Sequence, residues 1–136
     1  MNGDNMKGFY MADGATYLYQ NGDEYLDIFP LWDWRQLPGV TTFRSDGPML
    51  VIQKYHPRNA VSFVGGISNG VQGVSAMEIN RAGIKVRKSW IFMNDYVLCL
   101  GTGIQADSNL VVTTTLEQCH RKGDLKVLQN GIWNQI

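Results

Sequence analysis

The side chains able to do chemistry in this sequence are few, and most stand alone. His56 and His120 are its only histidines, and neither has a carboxylate or cysteine at metal-binding spacing. A solitary histidine is more often structural than catalytic. Cys99 and Cys119 are the only cysteines. In apolar or β-branched surroundings they read first as buried free thiols, and one bridge is open to them if their strands are neighbours. Neither an HExxH nor a CxxC pattern occurs. Gly65-Gly66 and Gly101-Thr102-Gly103 resemble phosphate loops only superficially. No helical pattern follows either, so tight turns or close strand packing explain them better. Asp23, Asp27 and Asp33 offer the oxygen ligands that calcium takes, but their spacing fits no EF-hand loop, and solvated turn carboxylates are the commoner outcome. The aromatic set Tyr17, Tyr19, Tyr25, Phe29, Trp32 and Trp34 has two readings. Most of it suits a core. The alternative is a platform for sugar rings, with Asn2, Asn5 and Asn21 supplying hydrogen bonds to hydroxyls and carboxylates.

Short strands must position these residues. Helical periodicity is almost absent, and strand periodicity recurs throughout. Residues 16–19 alternate, with Tyr17 and Tyr19 on one face, and Asn21-Gly22-Asp23 is a turn signal. Residues 24–29 read as a short helical turn, with Asp23 as N-cap and Pro30 as the stop. Leu37-Pro38-Gly39 has proline and glycine where a type II turn wants them. Strands are predicted over residues 49–55, 61–64, 70–79, 84–93, 96–100, 110–116, 125–128 and 132–136. Asn80-Arg81-Ala82-Gly83 and Asn130-Gly131 read as hairpin turns. The apolar run at 96–100 predicts a central strand buried on both faces. The expected fold class is all-β, an antiparallel β-sandwich or large curved sheet, as a single domain over residues 1–136.

With 136 residues the chain can bury a sizeable core. Its 12 basic and 12 acidic side chains cancel, which argues against a nucleic-acid or anionic-membrane partner while leaving room for a local basic cleft. No stretch approaches the ~20 apolar residues of a membrane span. No basic-then-apolar leader is present. Patterned sequence begins almost at once and runs to Ile136, so the chain is expected to be a piece of a longer protein.

Several segments, in order, carry a family likeness. Asn2-Gly3-Asp4-Asn5-Met6-Lys7-Gly8-Phe9-Tyr10, Asp13-Gly14-Ala15-Thr16 and Leu37-Pro38-Gly39-Val40-Thr41-Thr42 are followed by Phe63-Val64-Gly65-Gly66-Ile67-Ser68-Asn69-Gly70-Val71. Arg87-Lys88-Ser89-Trp90-Ile91-Phe92, Val97-Leu98-Cys99-Leu100-Gly101 and Thr113-Thr114-Thr115-Leu116-Glu117-Gln118 complete the set. Together they resemble the polysaccharide lyases that include chondroitin AC, hyaluronate and xanthan lyases, with Trp32-Asp33-Trp34 and Cys99-Leu100-Gly101 nearest the chondroitin AC type. The resemblance implies the central β part of an enzyme that cleaves acidic polysaccharide by β-elimination, preceded in the same protein by an α-helical toroid. It implies substrate contacts at Asn2, Asn5 and Tyr55. Asn2 matches an asparagine of the cleft, and Tyr55 falls near the place of a substrate-stacking tryptophan. The family's main acid–base groups lie on the toroid and match nothing here, so no catalytic residue is assigned and the piece alone is expected to be inactive. No cofactor is expected. Asp33 matches one calcium ligand of some relatives, but Arg35 and Arg44 stand where further acids would be. Secretion or periplasmic export is implied by the resemblance alone. A stand-alone carbohydrate-binding module is the alternative reading.

Overall fold

A computed structural model describes residues 5–50 and 58–136. The described strands, in chain order, are β1 (Thr41–Phe43), β2 (Val64–Ser68), β3 (Gly73–Arg81), β4 (Ile84–Phe92), β5 (Val97–Ala106), β6 (Val112–Thr114), β7 (Lys126–Gln129) and β8 (Ile132–Gln135). A short 3-10 turn, Gly8–Tyr10, precedes them. β2, β3, β4 and β5 form an antiparallel meander, β1 pairs with β6, and β7 pairs with β8. The chain is therefore all-β, as its patterning predicts.

The turns explain the meander. Ala82 and Gly83 both adopt positive φ, 51° and 79°, which suits the twist of the β3–β4 hairpin. Asn130 and Gly131 repeat this at β7–β8, with φ of 52° and 79°. Along β4, Ile84, Val86, Lys88 and Trp90 are buried while Lys85 and Arg87 are exposed. Ile79, Ile84 and Val86 make a small core, and Phe43 of β1 and Val112 of β6 pack onto it. This contact lays the two-stranded sheet across the inner face of the meander. Each such aliphatic side chain contributes about 1.5–3 kcal/mol when fully buried.

Some expectations change. Residues 16–19 form no strand. Tyr17 and Tyr19 do share a side, because both ring edges meet Tyr25, at 5.3 Å and 5.0 Å. Residues 24–29 turn without becoming helical, and Asp27 takes a positive φ of 55° that breaks any helix. The strand predicted at 61–64 begins at Val64 and runs on through the glycine pair to Ser68. The run at 96–100 is not a buried central strand. It opens the longer β5 at one edge of the meander, and Leu98 and Leu100 are exposed. An apolar run shows that a strand wants cover, not that the cover lies within the same stretch of chain. Cys99 is likewise exposed, and both cysteines are free. Thr41–Phe43, read only as part of a motif, is a strand. Most of the strand predicted at 49–55 lies outside the described residues.

The segment before β1 is joined to the meander by a buried ion pair. Arg81 Nη1 donates to both carboxylate oxygens of Asp13 at 2.7 Å and to the Phe9 carbonyl at 2.9 Å. Its guanidinium lies 4.1 Å from the Phe9 ring centroid. Removing one partner of such a pair strands the other charge, at a cost of about 3–5 kcal/mol. Arg81→Met and Asp13→Leu should each lower unfolding free energy in urea by about that amount, and the double variant should lose far less than the sum. Additive losses would mean that the two side chains act independently.

Candidate functional site

The aromatic segment is built by turns and held from behind by residues 117–120. The Glu24 carboxylate organises the first turn. It accepts backbone N–H groups from Gln20 at 2.9 Å, Asn21 at 2.7 Å and Gly22 at 3.0 Å. The hydrogen bond from Asn21, helped by the neighbouring amides, pulls this carboxyl down to about 2. Next to it the Tyr25 hydroxyl donates to Glu117 Oε1 at 2.9 Å and accepts from the Leu18 N–H at 3.0 Å. Burial pushes that phenol well above its ordinary value.

The tryptophans are fixed in the same way. Trp32 Nε1 donates to the Gln118 carbonyl at 2.9 Å, and Trp34 Nε1 donates to the Phe29 carbonyl at 3.1 Å. The Gln118 amide accepts from Asp33 N–H at 2.7 Å and donates to the carbonyls of Asp33 and Gln36 at 3.2 Å and 3.0 Å. His120 closes the set, its N–H donating to the Glu24 carbonyl at 2.9 Å and its ring Nε2 lying 2.9 Å from the Leu26 carbonyl. This histidine is structural. With the polar ends of Tyr25, Trp32 and Trp34 satisfied, the rings pack as one cluster, while the buried Tyr17 hydroxyl has no partner among the described residues. Tyr17 stacks on Trp32 at 5.9 Å with planes 9° apart, and Trp32 meets Trp34 edge-on at 5.3 Å.

The core reading holds for Tyr25, Trp32 and Trp34. Phe9, Tyr10, Tyr25, Ile28, Trp32, Trp34, Leu37 and Val40 form a core. One side of that core stays open as a cleft of about 290 Å³, lined by Met11, Tyr17, Tyr19, Tyr25, Phe29 and Trp32. Tyr19 is 62% exposed and Phe29 55%, so flat apolar surface and a phenol face solvent there. Such surface suits stacking on a sugar ring or packing against another domain.

The Leu37-Pro38-Gly39 turn docks this platform on the sheets. Val40 N–H donates to the Leu37 carbonyl at 3.0 Å, and Gly39 has φ of 80°, as a type II turn requires. Gly39 N–H donates to the Thr115 carbonyl at 2.8 Å, and Thr16 N–H to the Pro38 carbonyl at 2.9 Å. A Cβ at Gly39 would lie 2.6 Å from Thr16 Oγ1 and 2.7 Å from the Gly14 carbonyl. Lys88, buried on β4, donates to the Gly39 carbonyl, and burial pulls its amine down to about 8.

Of the residues predicted to touch substrate, Asn2 and Tyr55 lie outside the described residues, as does His56. Asn5 is half-buried at the edge of the platform, its amide Nδ2 3.6 Å from Met11 Sδ on the cleft wall. Asn21 lies on the Glu24 turn and is exposed. The three aspartates do not gather. Asp23 pairs with Lys122, and Asp33 accepts the Arg35 N–H at 3.0 Å. Among the described residues no group of three or more His, Cys, Asp or Glu could hold a metal ion. Arg35 donates to the carbonyls of Ser45 and Gly47. Glu24, Glu117 and Gln118 are the organising residues that sequence reasoning missed. The presence of Glu117-Gln118 in one of the family-like segments was the available signal. Gly66-Ile67-Ser68-Asn69-Gly70 also has the spacing of a serine-nucleophile elbow. Here it ends a strand and enters a hairpin, and Ser68 Oγ donates to the Gln72 carbonyl at 3.0 Å, so the serine is a turn residue.

Comparison with known proteins defines the class. The family described as polysaccharide lyase family 8, super-sandwich domain, matches residues 1–134. The chain belongs to this family. It is 35% identical over 124 residues to chondroitinase-AC of Pedobacter heparinus, covering 90% of this chain and 17% of that protein. It is 35% identical over 127 residues to hyaluronate lyase of Thermasporomyces composti, covering 87% and 16%. It is 32% identical over 137 residues to xanthan lyase of Bacillus sp. (strain GL1), covering 96% and 14%. Among solved structures, a chondroitinase AC lyase studied in complex with oligosaccharides superposes with a TM-score of 0.76 at 32% identity, covering 94% of this chain and 19% of that one. The chain thus spans less than a fifth of the length of these relatives.

Two outcomes follow from the site's construction. Gly39→Ala should destabilise the chain by more than about 1 kcal/mol in chemical denaturation, through the positive φ and the contact with Thr16. A carboxyl depressed on folding contributes stability above its ordinary value and loses it as pH falls through the folded value. The Glu24 contribution should therefore fade between about pH 4.5 and about pH 2. Glu24→Gln should be less stable than wild type at neutral pH and show a flatter acid limb in pH-dependent urea unfolding.

Proposed function

We propose that this chain is the β-domain portion of a longer polysaccharide lyase that cleaves an acidic polysaccharide, a glycosaminoglycan such as chondroitin or hyaluronan, by β-elimination. In this reading the chain scaffolds the enzyme and forms one wall of the substrate cleft. The family match over nearly the whole chain carries it, with the likeness to a chondroitinase AC lyase studied with oligosaccharides in support. An α-helical toroid earlier in the same protein would supply the opposite wall and the main acid–base groups, and the enzyme would act outside the cytoplasm, secreted or periplasmic.

The chemistry such an enzyme must supply is loss of the proton beside a uronate carboxylate and departure of the glycosidic oxygen. A neutralised carboxylate makes that proton more acidic, and a positioned acid protonates the leaving oxygen. Asn2, carried over from the family's cleft asparagine, would contact the substrate. Asn5, with its amide at the rim beside Met11, and Tyr55, as a stacking ring, would hold the sugars. No residue of this chain is given the proton-transfer role.

The open aromatic cleft keeps a second reading in view, a self-sufficient carbohydrate-binding module that uses Tyr19 and Phe29 as its platform. Product absorbance separates the two. This chain alone should release no unsaturated uronate from chondroitin or hyaluronan, whereas the longer protein should. In that longer protein Asn2→Ala should lower kcat/KM by up to about tenfold, as loss of one substrate hydrogen bond would. Release of unsaturated product by the isolated chain would overturn the assignment of the acid–base groups. Tight oligosaccharide binding that is lost on Tyr19→Ala would favour the module.

A further inference from the structure

We infer that the hollow beside the tip of the β3–β4 hairpin is a subsite for the carboxylate or sulfate ester of an acidic polysaccharide, gripped by Arg58 and Lys85. The inference rests on the ligand class proposed above and adds a place on this chain where that ligand's charge is read. The hollow measures about 390 Å³ and is lined by Arg58, Asn80, Lys85, Gln105 and Asp107 along with the hairpin residues.

Strand register builds it. Asn80 stands opposite Lys85, and Lys85 stands opposite Gln105. Residues directly opposite in antiparallel strands project from the same face, so these three side chains form a row across β3, β4 and β5. The row lies on the face opposite Ile84 and Val86, which enter the core. The β4–β5 register shifts between Lys85 and Arg87, an irregularity of the kind that re-aims side chains at sheet rims. Arg58 arrives from the other side on a pinned segment. Asn59 donates through Nδ2 to the Glu78 carbonyl at 2.8 Å and accepts the Asn80 N–H at 2.7 Å, and Ala60 N–H donates to the Asn80 carbonyl at 2.9 Å.

The charges suit an anion. Arg58 and Lys85 are exposed, and neither takes part in the three ion pairs found among the described residues. Asp107 is the one carboxylate lining the hollow. Its N–H donates to the Gly83 carbonyl at 3.0 Å, and any side chain at Gly83 would run into its carboxylate, so this acid is folded over the turn. Beside Arg81, which is paired with Asp13, two further cations therefore face one carboxylate. A guanidinium fork and an ammonium bind carboxylate or sulfate oxygens, and the Asn80 and Gln105 amides can take hydroxyls beside them. Arg81 of the same hairpin ties the hollow to the segment before β1 through Phe9 and Asp13.

The test titrates this chain, by calorimetry, with hexasaccharides of hyaluronan (carboxylate only), chondroitin sulfate (carboxylate and sulfate ester) and maltohexaose (neutral). Both acidic ligands should bind and maltohexaose should not. The double variant R58Q/K85Q should bind the acidic ligands at least about tenfold more weakly, with a shallower salt dependence, and K85R should retain binding. Tighter binding of chondroitin sulfate than of hyaluronan would assign the subsite to sulfate, and equal binding to the carboxylate. An unchanged circular dichroism spectrum and unfolding midpoint would show that the variants fold. If the double variant binds acidic ligands as wild type does, the subsite is wrong while the polysaccharide reading stands. If maltohexaose binds equally well, charge is not what the chain reads and the inference falls. If no ligand binds, the subsite falls, and the lyase reading keeps its own test in the product assay.

Discussion

The buried pair of Asp13 and Arg81 is the constraint on which the other contacts depend. It is the point where a segment without strands is registered on a sheet. Burial pushes the Asp13 carboxyl above its ordinary value, and Arg81 and Lys88 pull it back only in part. A carboxyl raised on folding adds stability at low pH and loses it as pH rises through the folded value. Burial of the Asp13 carboxylate thus carries a desolvation cost that Arg81 and Lys88 offset in part. What the pair supplies is uniqueness. Arg81 Nη1 reaches the Asp13 carboxylate and the Phe9 carbonyl together, and slippage would leave a buried charge unpaired.

Once that placement is set, the two cores follow. Docking Asp13 brings Gly14 against Trp90 and Lys88, and the turn at Gly39 closes over Thr16. Lys88 then finds the Gly39 carbonyl, so the hairpin that holds Arg81 also holds the LPG turn. β1 leaves that turn directly and pairs with β6, and its Phe43 completes the aliphatic core. β6 in turn leads into residues 117–120, which hold the platform's rings from behind. The chain passes twice between platform and sheet, and each passage is fixed by backbone hydrogen bonds.

This circuit explains which features could be read from the sequence. The meander was legible, because Ala82-Gly83 and Asn130-Gly131 state their turns locally and β4 alternates cleanly between core and solvent. The type II turn at 37–40 was legible for the same reason, and the all-β class followed. The platform was not. Tyr17 and Tyr19 imitate strand alternation, but their partner is a tyrosine reached through a turn built on one carboxylate, and no period encodes that. Cover was also misjudged for β5, since the same apolar run can serve a central strand or an edge. Of the candidate site, the ring set was anticipated and the Glu117–His120 brace was not. Its bonds to the platform run between residues some ninety positions apart, so no local signal could announce them.

Charge shows the same division between local and global information. Equal numbers of acids and bases argue against an anionic partner when they are averaged over the chain. The fold separates them instead. Asp13, Glu78 and Asp23 are taken up by Arg81, Arg87 and Lys122, and Glu24 is turned inward onto three amides. Asp13 and Glu24 are turned inward, while Arg58 and Lys85 are left at the hairpin tip with Asp107 folded over the neighbouring turn. A chain of zero net charge can in this way present a local positive rim, because hydrogen bonding and register, not composition, decide which charges reach solvent together.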